Sequence, residues 1–363
     1  ATITSGNIAP EIQLLVGQDN ESRMLISKAG GPVIINSTVY DGNANDLLSY
    51  DWLAQDQQLI NQSSQNTVFE FDPSTVAVGI YFIELTVTDD GADSKSSTAS
   101  VYVQIVDSLG ELTSLDSDGD NIPDNIEGRR DLDGDGISDY LDRIDECNVL
   151  IEESEVQDGY LIEGNPGVCL RRGDFSLVAT TGGAFITEPD IELPRSQIVQ
   201  DNEADNVGGI FDFIAYDLPE VSQQIAVTLP QRKPVPANAV YRKYSLSDGW
   251  GFFVEDDSNQ LWSAKGESGY CPPPLSNTWQ PGLVEGSWCV QLIIEDGGPN
   301  DDDKLVNQMV VDPGYVGVLV SNNIAPIAKN LDITLPLNGS TVIDLQSLVS
   351  DADDDVLTIL DAT

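Results

Sequence analysis

The sequence predicts an all-β, multidomain protein in which β-sandwiches are joined by an acidic loop segment. Three observations carry this. Short runs alternate apolar and polar residues with period 2. In residues 80–88, Tyr81, Ile83, Leu85 and Val87 face one way, and Glu84, Thr86 and Thr88 the other. Gly, Asn and Asp turns punctuate these runs, and no long helical period competes with them. Two acidic stretches, 116–127 and 131–142, separate one group of such runs from the next.

The totals bound what this protein does. Its 363 residues suffice for two or three domains with cores of their own. The formal charge is −45, which excludes nucleic acid and anionic membrane as direct partners, because nothing here neutralises phosphate. A hydrophobic content of 40% separates the chain from a disordered acidic tail. Histidine is absent, so a Ser-His-Asp triad, a Cys-His pair and a His-ligated zinc site are excluded. Carboxylate-only hydrolysis stays open in principle, without a spacing that signals it. Cys147, Cys169, Cys271 and Cys289 form no Cys-x-x-Cys pair. Two disulfides are the default in an extracellular chain, and the two local pairings close loops of similar size. No apolar run is long enough to span a bilayer, and residues 1–20 lack the basic start and apolar core of a signal peptide. The chain reads as an interior piece of a longer secreted protein.

Residues 1–108 are expected to form one sandwich, with strands near 12–16, 33–37, 49–53, 68–71, 80–88 and 101–105. Asn7-Ile8-Ala9-Pro10, Tyr50-Asp51-Trp52, Phe71-Asp72-Pro73 and the run 85–90 resemble polycystic-kidney-disease-type and related immunoglobulin-like repeats of secreted proteins. Asp41, Asp89 and Asp90 fall in expected end loops. The resemblance implies that such loops can hold ions.

Residues 109–145 carry the clearest chemistry. Asp116, Asp118, Asp120, Asp124 and Glu127 stand at positions 1, 3, 5, 9 and 12 of the first stretch. Asp131, Asp133, Asp135, Asp139 and Asp142 repeat the pattern 15 residues later. Two carboxylates ~4 Å apart repel by about 4 kcal/mol at an effective dielectric near 20. A stretch with so few apolar residues is therefore either disordered or folded around cations. A hard cation takes six to eight oxygens, and acids at alternate positions of a tight turn deliver them. Gly119 and Gly134 allow the bend. Ile122 and Ile137 at position 7 would offer backbone carbonyls while packing their side chains inward. The expected cofactor is Ca2+, at least two ions. The pair resembles thrombospondin type 3 calcium repeats. It differs from an EF-hand in placing glycine at position 4 and in lacking flanking helices. Between two folded parts, such a segment is a stiff connector.

Residues 146–321 form the largest unit, with strands expected near 209–213, 225–229, 239–244, 249–254, 288–295 and 317–320. Gly167-Val168-Cys169, Gly249-Trp250, Gly269-Tyr270-Cys271, Trp288-Cys289 and the turn from Glu295 to Asp301 resemble the choice-of-anchor U domain of bacterial secreted proteins. That family's domain precedes a C-terminal anchor, whereas here a further repeat follows. Glu295, Asp296 and Asp301 sit in a tight acidic turn. It reads either as another calcium site or, since Asp-x-Asp-x-Asp alternation is missing, as a turn capping its own backbone. Trp250 and Trp279 are candidate sugar-stacking residues; the competing reading places them in the core.

Residues 322–363 open a further unit. Asn323-Ile324-Ala325-Pro326 echoes residues 7–10, and Asp351, Asp353 and Asp355 alternate as calcium ligands do. The stretch resembles the start of a cadherin-like or immunoglobulin-like adhesin repeat and needs a strand partner.

Together these readings point to a non-enzymatic, monomeric, calcium-rigidified spacer within a bacterial surface adhesin, serving adhesion or biofilm formation. Its partners would be neighbouring repeats of the same chain, with a surface glycan or protein as ligand. Two alternatives stand beside it: a carbohydrate- or peptide-binding module in 146–321, and an accessory flank of an extracellular hydrolase.

Overall fold

A computed structural model describes residues 7–320 except 44, 55, 155–159, 194–195 and 221, together with 327–328, 331 and 340–350. The chain divides into two compact units, Ala1–Val318 and Leu319–Thr363.

The first unit opens with a sandwich of two four-stranded sheets. One runs Glu21–Ser22, Glu11–Gln18, Val33–Tyr40, Val68–Phe71; the other runs Leu25–Ser27, Ser96–Val106, Gly79–Thr88, Ser49–Ala54. Alternation decides which side chains go inside. Tyr81, Ile83, Leu85 and Val87 are all buried, as their period-2 spacing predicts. Tyr81 and Ile83 share one core with Val101, Val103 and Ile105 of the neighbouring strand, and with Val33, Ile35, Phe69 and Phe71 of the facing sheet. Between 22 and 25 the chain steps from one sheet to the other, and Leu25–Ser27 then pairs parallel with Gln104–Val106.

A second sandwich packs a six-stranded sheet against a seven-stranded one. The six-stranded order is Gln280–Pro281, Gln260–Ala264, Cys289–Glu295, Gln224–Pro230, Leu161–Gly164, Val149–Ile151. The seven-stranded sheet follows Cys169–Arg172, Ile210–Tyr216, Val310–Leu319, Ala239–Ser245, Gly249–Phe252, with Phe185–Ile186 and Ala204–Asn206 pairing onto its central strands. Phe211, Phe213 and Tyr241 from one sheet and Val227, Leu229 and Leu292 from the other share one core. Disulfides Cys147–Cys169 and Cys271–Cys289 staple this sandwich, which fits an oxidising, extracellular compartment. Among the described residues, no helix is long and apolar enough to cross a membrane.

In the second unit, Ile327–Ala328 pairs antiparallel with Val349–Ser350. Asp351, Asp353 and Asp355 lie outside the described residues.

Candidate metal centre

Residues 109–145 fold into two copies of one loop, and the same hydrogen bonds recur at the same offsets. The position-1 carboxylate accepts from the N–H groups of positions 4 and 6. Asp116 takes Gly119 at 2.8 Å and Asn121 at 3.2 Å; Asp131 takes Gly134 at 2.8 Å and Gly136 at 3.1 Å. Position 3 accepts from position 5, through Asp118 and Asp133. Position 5 accepts from position 7, at 2.6 Å for Asp120 and 2.7 Å for Asp135. Position 9 reaches back to position 2, so that Asp124 holds Ser117 and Asp139 holds Leu132. These bonds curl the backbone until positions 1, 3 and 5 converge. In each copy the three carboxylates place ligand atoms within 4.8 Å of one another.

The residues fit a hard cation. Position 9 spends its carboxylate on the scaffold: Asp124 also accepts from the Ser117 hydroxyl, and Asp139 pairs with Arg130 at 3.3 Å. Other oxygens are left over. Asp118 Oδ2, Asp133 Oδ2, Asp135 Oδ2 and Glu127 Oε2 are buried without a hydrogen-bond partner. A buried carboxylate oxygen with no donor is costly unless a cation meets it. All donors are oxygen, as calcium prefers.

The acids respond to one another accordingly. Burial, then Asp118, Asp120 and Asp124, push the Glu127 carboxyl up to about 7. In the second copy, burial and then its neighbours push Asp131 up to about 7, Asp133 to about 6 and Asp142 to about 8. Asp135, with no exposed surface, is held well above the carboxylate range. Position 12 thus feels the charge of the cluster in both copies. Asp145 joins it as well, raised by burial and then by Asp139 and Asp120. Sequence reasoning missed Asp145, whose only signal was its place three residues after Asp142.

A pH dependence follows. A carboxyl raised in the folded chain stabilises the fold fully below its unfolded value near 4. That contribution disappears as pH rises through the folded values of about 6 to 8. In chelator, the unfolding temperature is expected to fall between pH 5 and pH 8. Saturating calcium should flatten that fall by replacing the protons. A thermal melt that rises with pH in chelator would contradict this.

The two loops differ in what surrounds them. Ile137 packs into the core of the second sandwich, whereas Ile122 is exposed, so the inward packing expected at position 7 holds only for the second copy. The reason is placement: the second loop is held between the sandwiches. The Asp131 N–H donates to the Ser22 carbonyl at 3.0 Å, and Tyr102 Oη donates to the Gly136 carbonyl at 3.2 Å; both partners belong to the first sandwich. The Arg172 N–H donates to the Asp135 carbonyl at 2.9 Å, and Tyr216 Oη donates to the Asp133 carbonyl at 3.0 Å, from the second. Gly136 has φ +92, and a Cβ there would lie 2.4 Å from Tyr102 Oη. Gly136→Ala is therefore expected to cost about 1–3 kcal/mol in chemical denaturation. Tyr102→Phe in the same chain should recover part of that loss; no recovery would mean the hydroxyl is not what the methyl meets.

The other sequence candidates distribute differently. Asp296 accepts from the N–H groups of Ser222, Asn307 and Gln308. Asp301 accepts from those of Gly297 and Val311. These are backbone caps, so the turn after Glu295 follows the capping reading. Asp41 and Asp89 do come together, joined by Asp46, which sequence reasoning did not single out. Asp90 instead accepts from the Leu47 N–H. Trp250 packs between Tyr244 and Tyr315, and its Nε1–H donates to the Val199 carbonyl. Its ring is half-buried there. Trp279 is buried against Ala264 and Cys289, with its Nε1–H donating to the Pro273 carbonyl at 3.0 Å, and it lines a groove together with Trp262.

No protein-family model and no curated protein matches this chain. Among solved structures, a similar chain is one described as the structural basis for the promiscuous specificity of carbohydrate-binding modules from the beta-sandwich superfamily. It is 10% identical, with 87% of this chain and 100% of that chain covered, at a TM-score of 0.22. A likeness at that level carries no argument about what this chain binds.

Proposed function

We propose that this chain is a non-enzymatic segment of an extracellular surface protein in which bound calcium locks two β-sandwiches into a stiff spacer. One observation carries the reading. The second acidic loop is hydrogen-bonded to both sandwiches through its backbone, while Asp133 and Asp135 keep buried oxygens free for an ion. An ion there fixes the backbone carbonyls that Tyr102 and Tyr216 hold. Without it, the repelling carboxylates loosen the joint. Extracellular calcium modules bind at ~10⁻⁴–10⁻³ M, so the lock would close outside the cell and stay open in a calcium-poor cytoplasm. A spacer carrying load between an attachment point and a ligand is the adhesin role, with neighbouring repeats as partners. Small-angle scattering of the full chain tests it. Chelation should raise the radius of gyration and broaden the distance distribution; identical curves with and without calcium would sink the reading.

A second reading rests on the groove beside Trp262 and Trp279. It encloses about 490 Å³ on the outer side of the six-stranded sheet, lined also by Gln260, Gln291, Asn165 and Asn277. Leu275, at φ +61, is held at its rim by an N–H bond to Gln291 Oε1. A −45 chain with an uncharged, amide-rich groove beside aromatics suits a neutral sugar rather than an ion. A glycan array on the full chain, compared with Trp262→Ala, tests this; no binding to any glycan removes it.

A further inference from the structure

The first sandwich carries another convergence of oxygen atoms, on loops separate from the acidic segment. Asp41 and Asp46 follow the strand Val33–Tyr40, and Asp89 follows Gly79–Thr88. Each places a carboxylate oxygen within 4.8 Å of the other two.

Asn7, just before the first strand, closes the group. Its Nδ2 donates to Asp89 Oδ1 at 2.7 Å, and its own Oδ1 is buried without a donor. The Asn7 and Asp46 oxygens face one small space, because a Cβ built on Gly91 would lie 2.5 Å from Asn7 Oδ1 and 2.4 Å from Asp46 Oδ2. Glycine at 91 keeps that space open.

Asp89 is the key side chain. It is only 3% exposed. Its Oδ1 is used up on Asn7 and on the N–H groups of Gly91 and Lys95. Its Oδ2 is buried with no partner, and so is Asp41 Oδ2. Oxygens from three separate stretches of chain thus meet with nothing among the described residues to satisfy them. Backbone capping accounts for Asp41 Oδ1, which accepts from the Asn43 N–H at 2.6 Å, but not for the atoms that face inward.

We propose that Asn7, Asp41, Asp46 and Asp89 form a third cation site, for a hard divalent ion of the calcium class. Three carboxylates and a carboxamide give an all-oxygen donor set with neither nitrogen nor sulfur for zinc. The ion ties the segment before the first strand to both loops at this end of the sandwich. The site is independent of the acidic connector, since it shares no residue with it.

Calcium counting by equilibrium dialysis of the full chain tests the site, with far-UV circular dichroism to confirm folding. Asp46→Asn removes a ligand charge at a half-buried position and is expected to bind one ion fewer per chain than the wild type. Asp41→Asn keeps the acceptor for Asn43 and should give the same loss. Asp90→Asn, whose carboxylate holds Leu47 outside the group, should keep the full count. An unchanged count in both Asp46→Asn and Asp41→Asn overturns the site, as does an equal loss in Asp90→Asn. The connector is read separately with the double variant Asp118→Asn, Asp133→Asn. A chain that loses ions there and keeps its count in both Asp46→Asn and Asp41→Asn refutes this site alone. The reverse result refutes the connector alone.

Discussion

Chelating calcium from the full chain at pH 8 is expected to lower its unfolding temperature by about 10 °C or more. An ion held by the folded chain alone contributes RT ln(1 + [L]/Kd), which is about 2.7 kcal/mol at a free concentration of 100 Kd. For Kd near ~10⁻⁴ M, that condition is met at about 10 mM calcium. Two connector sites then contribute about 5 kcal/mol, and each kcal/mol moves the midpoint of a large domain by roughly 2–4 °C. The mutual repulsion of Asp131, Asp133, Asp135 and Asp142, which the ions relieve, is already contained in that Kd. Differential scanning calorimetry with calcium and with chelator checks the shift. A midpoint unchanged by chelator would mean the loops hold themselves together without cations.

Asp135→Asn is expected to change sign with calcium. Asp135 has no exposed surface, one oxygen bound to the Ile137 N–H and the other unpartnered. With calcium present the substitution removes a charged ligand and should destabilise by about 2–3 kcal/mol, the worth of one well-occupied site. In chelator the same change removes an acid whose ionisation is opposed by burial and then by Asp142, Asp133 and Asp131, so above the ordinary carboxylate range the variant should be more stable than the wild type. Asparagine keeps an acceptor for Ile137, so the local turn survives in both conditions. Urea denaturation of both proteins, with and without calcium, gives the four values needed. Destabilisation in both conditions would assign Asp135 to the loop's scaffold.

Much of this was legible in the sequence because the relevant physics is local. The 15-residue phase of Asp116 and Asp131 fixes which carboxylates can meet, and the period-2 run through Tyr81 and Val87 fixes which side chains go inside. What escaped depends on tertiary neighbours. Cys169–Arg172 carries two arginines and does not read as a strand, yet both arginines are buried beside the connector. Asp312-Pro313-Gly314 has turn chemistry but runs inside the strand Val310–Leu319, where Pro313 lies opposite Asp212. Tyr102 and Tyr216 look like ordinary strand aromatics; only the fold brings their hydroxyls to the second loop. Asp46 was missed for the same reason, since its partners come from Asn7 and Asp89, distant in the chain. Trp250 and Trp279 could not be told apart by context: one packs half-buried between Tyr244 and Tyr315, and the other is buried beside the groove.

The decisive measurement is an anomalous-difference map from a crystal of the full chain grown in millimolar calcium. A calcium lock between the sandwiches predicts one peak among Asp116, Asp118, Asp120 and Glu127, and another among Asp131, Asp133, Asp135 and Asp142. Ordered loops with no peak at the second position would contradict it.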